Sequence, residues 1–284
     1  MKQLIIICLA FCQMQHTFAQ DFQGIATYKS SRKLDIQLDS TQMNSEMHQR
    51  MMDMMKKQFQ KTYLLSFNKS ASIYKEDKEL GPRQPMGMEV IIVSSGDSDI
   101  LYKNLKENRF TNQNESFSRL FLIQDELQKH DWTLTNEKKF IGAYECFKAT
   151  KMIEVPIMRT RISMNGDRDL DAEEENNDPE TRMQEVVAWY APKIPVNNGP
   201  ANYHGLPGLI LEINDGTTTI ICSKIVLNPE KGVRIVEPKK GDKMNQEKYD
   251  AIMEKKMNEM QDRMRDNRRV RDDGAQELEI RISG

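Results

Sequence analysis

Cysteine is scarce in this chain: four among 284 residues, and Cys8 and Cys12 fall in an N-terminal stretch that reads as a removable leader. Two thiols, Cys146 and Cys222, are too few for a small scaffold held together by disulfides. Long apolar runs are missing too. The longest is Leu4 to Cys12, too short to span a bilayer. Neither sign of charge dominates, since 41 Lys and Arg face 43 Asp and Glu, for a net charge of −2. That balance, with no interleaving of basic and aromatic residues, excludes an electrostatic nucleic-acid binder. Catalytic motifs are absent as well. There is no Gly-x-Ser-x-Gly elbow, no phosphate-binding glycine loop, no dinucleotide fingerprint and no His-Glu-x-x-His pair. Outside the leader the three histidines, His48, His130 and His204, are widely separated. The reading is therefore non-enzymatic. The alternative is an enzyme whose site is assembled only in space, around His204 and Glu212.

What is present begins with the leader. Residues 1–19 have Lys2, the apolar run, and small residues at Thr17 and Ala19 that suit cleavage before Gln20. This predicts export, to the periplasm first and to the cell surface or medium as alternatives. It also predicts a mature chain, residues 20–284, that forms one domain without a transmembrane segment. In an oxidising envelope Cys146 and Cys222 either pair or stay as two buried thiols. Both lie in strand-like segments.

Strand signals dominate the body. "FQGIATYKSS", "TYLLSFNKSASIYKED", "MEVIIVSS", "DILYKNLKENRFTNQ" and "SRLFLIQDE" follow one another with turn residues between them. "DWTLTNEKKFIGAYECFKATKMI" reads as two strands around Gly142. "LILEINDGTTTIICSKIVLN" reads as a hairpin across Asn214-Asp215-Gly216, because Gly accepts the positive φ of a tight turn. Strands in series without alternating helices predict an antiparallel meander. Residues 165–181 hold eight acidic residues among seventeen and read as a solvated loop. Asp167, Asp169 and Asp171 mimic the start of a calcium loop, but Ala172 stands where glycine is needed and Asp178 where glutamate is. "QELEIRISG" at the C-terminus alternates like a closing strand.

Two segments read as helices, near 40–61 and 245–270. Each carries methionine at helical spacing: Met43, Met47, Met51 and Met54 in the first, Met253, Met257, Met260 and Met264 in the second. With Met52 and Met55 they hold ten of the nineteen methionines. The simplest reading is a pair of packing stripes. An adaptable surface for an envelope protein or apolar ligand is a second reading. A soft-metal site, with Met47, His48, Met51, Met52 and Met55 taking Cu(I), is a third. No cofactor is otherwise expected. The fold class expected is α+β: a strongly curved antiparallel sheet, at the limit a half-open barrel, with the two Met-rich helices packed on it or across its mouth.

The most unusual stretch is "AWYAPKIPVNNGPANYHGLPGLILEI". Gly205, Leu206, Pro207, Gly208, Leu209 and Ile210 follow an aromatic strand ending in Ile194-Pro195 and the pair Gly199-Pro200. Upstream, Trp132, Lys139, Ile141, Tyr144, Cys146, Lys148 and Ala149 form a spaced set. Together these resemble the signature of the GLPGLI family of exported Bacteroidetes proteins, over roughly residues 20 to 228. The resemblance implies export, a β-rich body, no established reaction and an association with outer-membrane transport. The acidic insertion and the methionine segments depart from the family pattern. Independently of the resemblance, the glycines allow unusual backbone angles or close approaches. Tyr203 and His204, with Trp189, are the candidate binding residues at the sheet rim.

Overall fold

A computed structural model describes residues 22–33, 60–77, 100–156 and 181–270. Alternating sequences become strands wherever turn residues interrupt them. β1 is Gln23–Arg32, β2 Gln60–Asn68, β3 Ala71–Glu76, β4 Ile100–Asn104, β5 Arg109–Ser116 and β6 Arg119–Glu126. Then come β7 Thr133–Ile141, β8 Tyr144–Pro156, β9 Thr181–Ala191, β10 Leu209–Asn214, β11 Thr218–Leu227 and β12 Asp242–Met244, followed by a helix, α1, Gln246–Val270. The strands form a single sheet in the order β12-β6-β5-β4-β3-β2-β1-β11-β10-β9-β8-β7. Every pairing is antiparallel except β12 with β6.

Among the described residues the two ends of the sheet do not meet, so it is open. It is nevertheless far from flat. β4 and β8 lie seven strand spacings apart, about 34 Å across a flat sheet. Yet Lys103 of β4 is bonded to the Tyr203 carbonyl, and Lys151 of β8 lies 5.3 Å from the Tyr203 ring centroid. The concave face made by this curl carries much of the core: Tyr28, Leu65, Phe67, Tyr74, Leu101, Ala149, Val186, Ala188 and Tyr190. The connection between β9 and β10 folds down into it, burying Ile194, Val196 and Leu206.

The α+β expectation is overturned. The protein is mostly β, and α1 is the single helix among the described residues. The segment expected to form the first Met-rich helix lies largely outside the described residues, and its last two positions, Gln60 and Lys61, open β2. Nor does α1 lie across the mouth. It meets the sheet at β6, where Tyr249 packs edge-on against Phe121 and bonds through its hydroxyl to Asn114 and Ser116. The first turn is anchored by the Gln246 amide, which donates to the Asp125 carboxylate. Ile252, Met253, Met257 and Met260 stay half-exposed along one stripe. Methionine spacing thus marked a helix face and gave no information on what it packs against. No helix among the described residues is long and apolar enough to cross a membrane. The leader, "MEVIIVSS", the acidic loop up to Glu180 and the C-terminal "QELEIRISG" lie outside the described residues.

Candidate rim site around the β9–β10 connection

The connection is held by its own backbone and by three strands. Leu209 N donates to Ile194 O at 2.9 Å and Ile210 N to Asn198 O at 2.9 Å. Asn197 accepts from the Gly205 amide through its side chain. Tyr28, buried on β1, donates its hydroxyl to Ile210 O at 2.7 Å. Gly205 is needed for its backbone angle, φ 97°. Gly208 is needed for closeness: a Cβ there would sit 2.4 Å from Ala191 O.

The strongest tie comes from Lys103. Its side chain is fully buried, and its ammonium donates to the carbonyls of Gly199 at 2.8 Å, Ala201 at 2.7 Å and Tyr203 at 3.2 Å. Three N–H groups meet three acceptors, so the charge is completely hydrogen-bonded without a carboxylate. Burial nevertheless pushes its pKa down to about 7. Ala201 takes a left-handed backbone, φ 46°, within this wrapped turn.

Above Lys103 lies an aromatic cluster. His130 and His204 have ring centroids 4.8 Å apart, Trp132 and Tyr203 each lie 5.9 Å from the His130 ring, and those two rings are 6.3 Å from each other. Trp132 Nε1 donates to His204 O at 2.8 Å. Lys151 donates to His130 Nδ1 at 2.9 Å and lies 5.3 Å from both the Trp132 and Tyr203 ring centroids. With Nδ1 accepting, His130 carries its proton on Nε2 and donates to Asn202 O at 3.0 Å. Burial is the main cause that lowers the pKa of His130, and of Lys151 beside it. It also raises that of the Tyr203 phenol. Beside the cluster an open cleft of about 380 Å³ is lined by His130, Asp131, Trp132, Thr133, Leu134, Gly205, Leu206 and Pro207.

Of the two described histidines, His204 is the more perturbed. Burial, then the positive charge of Lys103, lowers its pKa to about 3, and its Nε2 is buried without a partner among the described residues. The imidazole is therefore neutral at physiological pH. A base with a depressed pKa leaves the unfolded chain binding more protons below its ordinary value. His204 should thus cost stability as pH falls from 6.5 towards 3. Urea titrations from pH 7 to pH 4 should show a shallower loss for His204→Gln than for the parent protein. The His204 ring resonances should not titrate above pH 4.

Of the residues expected at the rim, Tyr203 and His204 come together here. Trp189 does not. It is opposite Lys148 on the other face of β8–β9 from Ala188 and Tyr190, with the Lys139 ammonium 4.4 Å over its ring. Glu212 is likewise engaged elsewhere, in a 2.7 Å ion pair with Lys139, and does not join His204. Cys146 and Cys222 are free and buried, with burial pushing their pKa values up to about 11 and about 12. Met47, His48, Met51, Met52 and Met55 lie outside the described residues. Among the described residues no cluster of three His, Cys, Asp or Glu is placed to hold a metal ion. Sequence reasoning missed Lys103, Lys151 and the role of His130. Nothing in their local context distinguishes them from solvent-facing polar positions on strands and loops.

Residues 132–212 match the model of a family described as "Protein of unknown function (Porph_ging)". The match opens at Trp132 and closes just past Ile210, so it contains the cleft's Trp132 and the whole of the connection. No curated protein matches the chain. Two solved structures of PNGF-II, in space groups C2 and P21, each align with it at 13% identity and a TM-score of 0.44. Each alignment covers 81% of this chain and 32% of that chain, so the chain spans about a third of their length.

Proposed function

We propose that this chain is an exported, non-enzymatic binding or accessory protein of the cell envelope, a member of the GLPGLI family, and that its contact surface is the cleft between residues 130–134 and 205–207. The observation that carries this reading is how the cleft is built. Trp132, Leu134, Leu206 and Pro207 supply apolar walls, while the polar groups beside them are fixed by backbone bonds. A shallow wall of this kind suits recognition of a partner or ligand. His204 is held neutral and His130 has both ring nitrogens bonded, which leaves little for proton transfer.

The test is ¹⁵N-resolved NMR of the purified chain against panels of peptides, oligosaccharides and lipid micelles. Binders should shift amides of residues 130–134 and 203–207 first. Trp132→Ala should weaken them at least tenfold, as loss of an aromatic anchor does. Binders that map only elsewhere, or an unaffected Trp132→Ala, would sink the reading.

A further inference from the structure

The cleft sits at the start of β7, and β7 is an edge of the sheet: among the described residues β8 is its only neighbour. Edge strands offer unpaired backbone groups to an incoming strand. Most of β7 is protected against this. Its pairing slips between Leu134 and Lys138, and charged residues follow at Glu137, Lys138 and Lys139. Its opening residues lack that protection. Leu134 pairs with Ala149, a buried core residue, so it points to the concave side. It is nevertheless 56% exposed, because among the described residues no strand lies beyond it to cover it.

The charges on the same two strands differ in one respect. Lys138 is matched by Glu145 at 3.3 Å, Lys139 by Glu212 at 2.7 Å and Lys148 by Glu137 at 2.8 Å. Lys151 meets a neutral imidazole and two aromatic faces, and no carboxylate among the described residues. It pairs with the buried Val186 and so shares the concave side with Leu134. One of its three N–H groups is used on His130, which leaves two for a ligand.

We propose that the cleft takes an extended peptide carrying an aspartate or glutamate, its backbone laid along the opening residues of β7 and its carboxylate met by Lys151. The peptide's alternate side chains face inward over Trp132 and Leu134, as strand addition requires. An ammonium already flanked by aromatic rings and half withdrawn from water favours a carboxylate over a neutral side chain. This inference rests on the binding reading above and deepens it.

The experiment is selection of a randomised heptapeptide library on the purified chain, followed by affinity measurement and ¹⁵N mapping of the selected peptides. Selected peptides should share an Asp or Glu at one position and shift the amides of residues 130–141. Replacing that acid by its amide should weaken binding at least tenfold. Lys151→Met should abolish the acid-over-amide difference, while Lys151→Arg should keep it and confirm that the fold tolerates change there. Leu134→Asp, at an exposed position, should weaken the same peptides. Peptides that bind the cleft with no acid preference, or that keep it in Lys151→Met, overturn the carboxylate assignment and leave the binding reading standing. Failure to select any peptide overturns the peptide inference alone. If no ligand of any class shifts residues 130–134 or 203–207, both readings fall.

Discussion

Raising the pH from 7 towards 10.5 should stabilise the parent protein relative to a Lys103→Met variant. Lys103 has a folded-state pKa of about 7, against 10.5 for the free side chain. Between those values the unfolded chain binds a proton that the folded chain does not, so stability rises with pH. The difference corresponds to about 5 kcal/mol at the limit, each unit being worth about 1.4 kcal/mol. The three carbonyls of Gly199, Ala201 and Tyr203 bond best to the protonated form, so the measured gain should fall short of that limit. The sign at pH 7 itself is a contest. Methionine removes a buried charge but leaves three carbonyls unpaired, each at roughly 1–3 kcal/mol. Guanidinium unfolding of both proteins at pH 7, 8, 9 and 10 reads the relative slope directly. Parallel pH profiles would show that Lys103 is protonated throughout and that its carbonyl cradle outweighs burial. A second effect is local. Without its ammonium the connection loses its link to β4, and Trp132, bonded to His204 O, should report this as a fluorescence change.

Gly208→Ala should be among the most damaging single-methyl changes in the chain. The added Cβ meets Ala191 O at 2.4 Å, Ala191 C at 2.6 Å and Pro192 N at 2.8 Å. All three are backbone atoms at the end of β9, so no rotamer change relieves the contact. The connection would have to lift away from β9, disturbing the Leu209 N to Ile194 O bond and uncovering Leu206. A loss of about 3 kcal/mol or more is expected, at the upper end of overpacking effects. Gly205→Ala makes the control. Its Cβ would have 3.6 Å to Trp132, ordinary contact, and the cost is the left-handed angle alone. About 1–2 kcal/mol is expected there. Thermal unfolding of both variants should separate them clearly. Equal losses would mean that the close approach at Gly208 relaxes as easily as a backbone angle.

These two glycines show what could be read from the sequence. "GLPGLI" reads as a rigid turn that launches a hairpin, and Leu209 does begin β10, which pairs with β11 across Asn214-Asp215-Gly216. Gly142 likewise turns β7 into β8 with φ 58°. Such features are legible because turn chemistry is local and restricted to a few residue types. Lys103 is the opposite case. In "DILYKNLKEN" it looks like a solvent-facing position of an alternating strand. Its acceptors are backbone carbonyls 96 to 100 residues away, and carbonyls leave no mark in a sequence. His130 and Lys151 are hidden for a related reason, since only the curl of the sheet brings them to Tyr203. The methionine helices misled because spacing gives a helix its apolar face without naming the neighbour. The methionine stripe of α1 extends past Tyr249 without burying itself on the strands.

The place of β1 at the middle of the sheet has a consequence for biogenesis. It is the first described strand in the chain, yet one of its neighbours is β11, so that Ile25 lies opposite Val226, 201 residues later. At roughly 5–20 residues per second of synthesis, that partner arrives on the order of 10–40 s after β1. Until then one side of β1 is an open pairing edge, with Tyr28 lacking the Ile210 carbonyl it will bond. Such long-range closure makes folding slow and leaves the unfinished sheet prone to mispairing. Capture of partly made chains by holding factors should therefore fall off sharply only once β11 has been added.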